Sequence, residues 1–405
     1  MKILFIHQNF PAQFGQLVKQ LARQPGYELL ALMQPPGRKV EDVGVVPYKF
    51  LNTPADHSHP LLGEMEAKVL RAEAVAEAAY RLKAKGWSPD VIIGHPGWGE
   101  LLFVRDIWPT ARLVVYCEYY YRAEGQDLNF DKEFEEADIR LIQRMKLKNT
   151  VMLTALADAD VAYSPTEWQR QTFPEHLRDS IHVIHDGIDI EYFKPNPDAS
   201  FQIANKGITL SQGDEVITYA ARSLEPVRGF HQFMRLLPDI LSQRPNAHVV
   251  IMGAKEASYG PEPKDFDNWQ DCALAELGNL LDPQRVHFTG FLNREQYQQV
   301  LQVSKVHVYM TYPFLLSWSM LEAMSCGALV IGSDTGPVRD VIQHNKNGLL
   351  VPFFDTKAWV KTIVKELKAK KNSPLREKSR QFIQENYAYS DCIRKLQNLY
   401  QNQKL

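Results

Sequence analysis

Short, unbroken apolar runs recur along this chain, with room for a helix between them. KILFIH is followed by the helix-like FGQLVKQLARQ and then by ELLALMQ. VIIGH (Val91 to His95), LVVYCE (Leu113 to Glu118), VAYSP and IHVIHDGI come next. A strand with one solvated face alternates apolar and polar residues, whereas a strand covered on both faces reads as a continuous apolar run. These runs are therefore expected to be buried strands. Their alternation with helical segments implies an α/β fold of doubly wound parallel sheets.

The pattern occurs twice. A polar stretch with two prolines, FKPNPDASFQIANKGITLSQGDE (193–215), separates the first series from VITYAAR, HVVIMG, VHFTG, KVHVYM and ALVIGS. The expected organisation is a Rossmann-like domain over 1–192, a linker at 193–215 and a second Rossmann-like domain over 216–385. A C-terminal helical segment, 386–405, is expected to pack back on the first domain. The 405 residues suffice for two or three domains.

Composition narrows the function classes. The formal net charge of -2 gives no electrostatic reason to expect nucleic acid. Cys117, Cys272, Cys326 and Cys392 are far apart and form no CxxC pair, so reduced thiols are expected rather than a zinc site or disulfides. The apolar run Ile3 to Ile6 is too short for a signal peptide, and no run reaches the roughly 20 residues of a membrane span. A cytoplasmic protein is expected. RLIQRMKLKNTV places Arg140, Arg144, Lys146 and Lys148 on a partly apolar helix. Such a helix can lie on the inner face of an anionic membrane or be a solvated helix face.

The chemistry-bearing segments stand at strand ends, where open α/β sheets bind ligands. In TYPFLLSWSMLEAMSCGALVIGSDTGPVRDVI a helix starts near Ser317 and stops at Gly327. Ser317, Trp318 and Ser319 mark its N-terminus, and Glu322 lies about one turn inside an otherwise apolar helix. In YAARSLEPVRGF, Arg222 follows a strand and Arg228 precedes a helix. Helix N-terminal amides and a pair of guanidinium groups suit a diphosphate.

These segments, R-x5-R-G, LEAMSCG and SDTGPVRDVI, together with HQNFPAQF, HPGWGE and YCEYYYRAEGQDLNFDKEF, resemble the GT-B glycosyltransferases of family 4 (group 1), in a less characterised subgroup. The resemblance implies two Rossmann-like domains facing each other across a cleft. It implies transfer of a sugar from a nucleoside diphosphate sugar with retention, the leaving phosphate taking the acceptor's proton. The donor would bind the C-terminal domain through Arg222, Arg228, Ser317, Trp318 and Ser319, with Glu322 accepting both ribose hydroxyls. Gly15 would take the place of the family's Gly-rich loop. Glu118 stands where the family often has a His whose backbone or ring faces the reacting sugar, and could stabilise an oxocarbenium-like centre or accept a proton. His95, Arg222 and Arg228 complete the expected catalytic set. Asn9, Glu100, Tyr120 and Asp127 would line the acceptor side, for a sugar, lipid-linked or small-molecule acceptor. Asp131 lies in the same loop.

No Asp-x-Asp motif stands at a strand end, so no metal and no further cofactor is expected. HDGIDIEYFKP resembles the crossover into the second domain and is assigned no chemistry. One position departs from the family's Glu-x7-Glu pair: Phe314 replaces the first Glu, which contacts the donor sugar. The apolar block Tyr312 to Leu316 suggests that Phe314 is core. The alternatives are a GT-B epimerase or phosphorylase, or a non-catalytic nucleotide-sugar-binding protein.

Overall fold

The computed structural model describes residues 1–50, 52–53, 59–134, 137–204, 206–369 and 373–401. It divides into two units, one of residues 1–187 with 389–405 and one of residues 188–388.

The first unit contains a seven-stranded sheet of β1 (Lys2–Ile6), β2 (Glu28–Met33), β3 (Gly44–Pro47), β4 (Val91–Gly94), β5 (Arg112–Tyr116), β6 (Val161–Ser164) and β7 (Ile181–Val183). Every pairing is parallel, in the order β3-β2-β1-β4-β5-β6-β7. The apolar runs arise because both faces are covered. Ile3 and Phe5 enter one buried cluster with Ile93, Val114 and Tyr116, while Leu4 and Ile6 enter the other with Ile92, Leu113 and Val115. The helix Gly15–Ala22 covers the first face through Leu17, Val18 and Leu21. The C-terminal helix Tyr389–Tyr400 joins it there through Ile393, Leu396 and Leu399. Residues 402–405 of the expected tail segment lie outside the described residues. The helices Gly63–Ala84 and Thr150–Asp158 cover the opposite face.

The second unit contains β8 (Ser200–Ile203), β9 (Ile208–Ser211), β10 (Val216–Ser223), β11 (His248–Ala254), β12 (Val286–Gly290), β13 (Val306–Tyr309), β14 (Leu329–Ser333) and β15 (Leu349–Val351). The six strands from β10 onward form a parallel sheet in the order β12-β11-β10-β13-β14-β15. The segment expected as a linker is not one. β8 and β9 pair antiparallel, and Phe201, Ile203 and Leu210 enter the core of this unit. Every second residue of β8 is exposed, which is why composition alone reads it as polar linker.

Each sheet has one place where neighbouring strands leave for opposite sides. It lies between β1 and β4 in the first unit and between β10 and β13 in the second. The carboxyl ends of those strands are where ligands of open α/β sheets bind. No described helix is long and apolar enough to cross a membrane. All four cysteines are free.

Candidate active site

In the second unit, β10 ends at Arg222 and Ser223, and the turn Pro226–Arg228 leads into the helix Phe230–Gln243. Gly229 makes that entry with φ 70°, and a Cβ there would lie 2.4 Å from Met310 Cβ, so only glycine fits. Arg228 is held from several sides. Its Nη1 donates to Leu315 O at 2.6 Å, and its guanidinium lies 5.2 Å from the Phe314 ring centroid. Its own carbonyl accepts from the Tyr219 hydroxyl at 2.7 Å. Arg222 is exposed, and has no hydrogen bond or ion pair among the described residues.

The loop after β13 delivers the helix Trp318–Ser325, close to the limits expected from sequence. The Ser317 amide donates to the Tyr309 hydroxyl at 2.8 Å, and Ser317 Oγ caps the helix by accepting the Ser319 amide at 3.3 Å. Ser319 Oγ donates to Ala220 O at 3.2 Å, so this hydroxyl ties the helix to β10. Trp318 is 42% exposed. Phe314 is 3% exposed and packs on Tyr259 at 4.1 Å between ring centroids.

Glu322 is half-buried, one turn into this helix. Its Oε2 accepts from the Tyr297 hydroxyl at 2.7 Å. Its Oε1 makes no hydrogen bond with the described residues, and so is open to a ligand. Burial pushes the carboxyl up to about 7, against the Tyr297 hydrogen bond and the nearby Arg294, which both lower it. Sequence reasoning missed Tyr297, which lies on a polar-looking helix, Arg294–Val303. It also missed Glu225. This carboxylate is 1% exposed. It accepts from Ser258 Oγ at 3.0 Å, the Tyr259 amide at 3.1 Å and the Gly260 amide at 2.9 Å. Glu225 therefore pins the loop after β11 and seats Tyr259 against Phe314. A Glu before Pro in a loop of this kind carries no pattern that would have revealed it.

In the first unit, His7 and His95 follow the ends of β1 and β4, and their rings meet edge to face at 5.7 Å. Each ring accepts a backbone amide at Nδ1, from Asn9 at 2.9 Å and from Gly97 at 3.0 Å. His95 Nδ1 is thus an acceptor, which leaves the proton on Nε2 to donate to Glu118 Oε2 at 3.1 Å. This orients the Glu118 carboxylate just beyond β5. Burial first, and His95 second, bring the His7 imidazole down to about 3, so His7 is neutral near pH 7.

Glu100 is fully buried, and its Oε1 accepts from the Tyr48 hydroxyl at 2.6 Å. Burial raises its carboxyl to about 7, against lowering contributions led by Tyr48. Asp127 accepts from the Tyr119 hydroxyl at 2.8 Å, and Asp131 Oδ1 accepts the Glu133 amide at 3.0 Å. Tyr120 is half-buried, its ring packing on Phe173 at 5.6 Å and against the apolar cluster below. Asn9 is exposed. Gly15 begins its helix with ordinary helical geometry, and an added Cβ would meet Pro11 at an unstrained 3.7 Å. Nothing among the described residues of this unit requires glycine at that position.

Two doubly wound parallel units, with a positioned arginine and a helix-borne carboxylate at the second switch point, define a GT-B glycosyltransferase fold. Residues 25–193 match the family model described as glycosyl transferase family 4 group, and residues 201–388 match that of glycosyl transferases group 1. The chain belongs to glycosyltransferase family 4. D-inositol 3-phosphate glycosyltransferase of Mycobacteroides abscessus is 25% identical over 316 residues, covering 73% of this chain. The match spans 61% of that relative's length. Sucrose-phosphate synthase of Thermosynechococcus elongatus superposes with a TM-score of 0.74 at 16% identity, over 99% of this chain and 98% of that one. HepE of Anabaena, solved with UDP and glucose, gives 0.67 at 16% identity, over 99% and 100% of the two chains. At these identities the two structures speak to the fold.

Proposed function

We propose that this protein is a retaining glycosyltransferase that moves a sugar from a nucleoside diphosphate sugar to an acceptor without an essential metal ion. The observation that carries the reading is the lock around Arg228 at the β10/β13 switch point. Arg228 holds Leu315 O, and Tyr309 holds the Ser317 amide at the start of the capped helix. Cationic donors and helix amides are thereby fixed before a ligand arrives, which is what stabilises charge growing on a leaving diphosphate. Arg222, exposed and uncommitted, supplies the second guanidinium. Glu322 Oε1, with Oε2 held by Tyr297, would accept ribose hydroxyls. In the first unit, Glu118 is oriented by His95 and can stabilise an oxocarbenium-like centre or accept a proton. With no nucleophile required, the departing phosphate takes the acceptor's proton and attack occurs on the same face. The acceptor is a sugar, a lipid-linked molecule or a small molecule.

The test is a panel of nucleotide sugars incubated with wild type and with an Arg222→Ala, Arg228→Ala double variant, in EDTA. Donor consumption by wild type alone, with the anomeric configuration kept in the product, is the expected result. Absence of both donor binding and consumption by wild type would overturn the reading. Phe314 favours a second reading, a nucleotide-sugar-binding protein without turnover, because the position cannot grip a sugar through a carboxylate. Binding without consumption or hydrolysis would select it.

A further inference from the structure

His95 gathers three side chains that keep unused hydrogen-bonding capacity. Its ring meets the His7 ring at 5.7 Å, its Nε2 donates to Glu118 Oε2 at 3.1 Å, and its Nδ1 accepts the Gly97 amide at 3.0 Å. Gly97 lies in the turn Pro96–Trp98, which displays Trp98. His7, Glu118 and Trp98 therefore stand around one imidazole, just beyond β1, β5 and β4.

Each keeps one polar atom without a hydrogen bond among the described residues. His7 is 6% exposed, and its ring is packed between His95 and Phe14, the latter edge to face at 6.1 Å. Its Nδ1 accepts the Asn9 amide, so the proton stands on Nε2, and that N–H is the unbonded atom. A buried donor left unpaired is destabilising, and a ligand oxygen offsets that cost. Glu118 has Oε2 engaged by His95 and Oε1 unbonded. Trp98 is 43% exposed, with its Nε1–H unbonded.

A single exposed aromatic residue is ordinary. Trp98 differs in the rigidity of the turn that carries it. Arg71 Nη1 donates to Trp98 O at 3.0 Å, and the Gly99 amide donates to Pro96 O at 2.9 Å. A Cβ on Gly97 would lie 2.6 Å from His95 Cε1, and one on Gly99, at φ 93°, would lie 2.4 Å from Lys68 O. The indole is thus presented from a backbone fixed on both sides, so little is left to order when a ligand binds.

The three groups together specify a ligand. The Glu118 carboxylate accepts, so the ligand must bring O–H donors, and the same carboxylate repels an anion. The N–H groups of His7 and Trp98 call for acceptors. The indole face calls for an apolar surface beside them. A hydroxyl supplies donor and acceptor at once, and a pyranose ring adds C–H faces between its hydroxyls.

We infer that this end of the first unit is a sugar subsite, with Trp98 as the stacking platform and His7 Nε2 donating to a hydroxyl beside Glu118. Taking that sugar as the acceptor substrate rests on the transferase reading, and selects a carbohydrate among the acceptors named above. The binding itself does not depend on that reading.

The experiment records saturation-transfer difference NMR spectra of the full-length protein with the methyl glycosides of glucose, mannose, galactose and N-acetylglucosamine, in the absence of nucleotide. Glycerol and glycerol 3-phosphate serve as controls. Trp98→Leu, Trp98→Phe, His7→Asn and His7→Gln accompany wild type, each with its melting temperature. At least one glycoside should receive saturation from wild type, and neither control should. Trp98→Leu should lose that signal and Trp98→Phe should keep part of it, because only the latter retains an aromatic face. Trp98 is exposed, so both variants should melt as wild type does, and they decide the matter if a His7 variant fails to fold. The His7 pair separates the two ring nitrogens. Asparagine keeps an acceptor for the Asn9 amide but does not reach the Nε2 position, whereas glutamine reaches it with an N–H. Glycoside affinity should fall at least tenfold in His7→Asn and be largely kept in His7→Gln. A purely structural role through Asn9 gives the reverse order and overturns the assignment of His7. No glycoside signal in wild type, a signal undiminished in Trp98→Leu, or one from glycerol 3-phosphate in place of the glycosides overturns the subsite. Glycoside binding without donor consumption leaves the sugar subsite standing and removes the transferase reading, and donor consumption without glycoside binding does the opposite.

Discussion

The Tyr297 hydroxyl donates to one oxygen of Glu322 at 2.7 Å and leaves the other without a hydrogen bond among the described residues. The contact fixes the carboxylate's orientation and also lowers its proton affinity. Burial sets Glu322 near 7, and the Tyr297 bond acts against that rise. Below about 7 the carboxyl is protonated and offers ribose a weaker acceptor. Affinity for UDP or another nucleoside diphosphate should therefore increase as pH rises through 7. Tyr297→Phe removes a bond that favours the ionised form, so the midpoint should move to higher pH. Calorimetric titration between pH 6 and 8.5 checks this. A flat profile in wild type, or an unmoved midpoint in Tyr297→Phe, would contradict it.

The two arginines should behave differently, although both are proposed to face the diphosphate. A hydrogen bond to a charged group contributes about 1.5–3 kcal/mol, so each Ala variant should weaken nucleoside diphosphate binding by roughly ten- to a hundredfold. Arg228 also holds Leu315 O and lies against Phe314, so Arg228→Ala should lower the melting temperature as well. Arg222 has no such contacts, and Arg222→Ala should melt as wild type does. Equal melting losses in the two variants, or unchanged binding in both, would count against the geometry.

Glu100 gives a stability prediction. Its folded carboxyl titrates near 7 against an ordinary 4.5. Between those values the unfolded chain has released a proton that the folded protein keeps, so folding weakens as pH rises through that window. The shift corresponds to at most about 3 kcal/mol. Glu100→Gln keeps an acceptor for Tyr48 and cannot ionise. Its stability relative to wild type should grow from pH 5 to about pH 7 and level off above that in urea unfolding. A difference that does not vary with pH would show that Glu100 is ionised throughout.

The parts of this fold visible in sequence are those where burial acts on consecutive residues. β1, β2, β4 and β5 are apolar on both faces, and the sequence shows them directly. β3, whose residues are only partly buried, and the β8–β9 hairpin, with alternate residues exposed, resemble loop or linker. At the site, helix signals located Ser317 and Glu322, because a cap and a lone carboxylate are local features. Tyr297 and Glu225 act on partners 25 and 33–35 residues away, so only the folded sheet brings them there. Ser319 shows the converse: residue type suggested a ligand contact, and the fold uses its hydroxyl to tie the helix to Ala220 O.

Phe314 is where local pattern and family expectation diverge, and the structure gives it a defined role. Its ring lies between Tyr259, at 4.1 Å, and the Arg228 guanidinium, at 5.2 Å. Tyr259 in turn is held by Glu225. The aromatic pair forms a support for the arginine, and a cation over such a ring contributes about 0.5–2 kcal/mol. Phe314→Leu keeps the apolar fill but loses that support. It should cost stability modestly, roughly 1 kcal/mol, and reduce diphosphate affinity less than Arg228→Ala does. Phe314→Glu places a carboxylate within reach of Arg228. A carboxylate at a buried apolar position is costly when unpaired, but the geometry gives this one a partner. An Arg228 engaged by the new carboxylate no longer presents its charge to a diphosphate, and the carboxylate itself repels the ligand. Phe314→Glu should therefore fold, bind nucleoside diphosphate at least tenfold more weakly than wild type, and recover part of that loss at acidic pH as the new carboxyl protonates. Binding titrations of the three variants at pH 5.5 and 8, beside their melting temperatures, test the argument. Tighter binding by Phe314→Glu at pH 8 would show that this position faces the donor sugar and does not act as a support for Arg228.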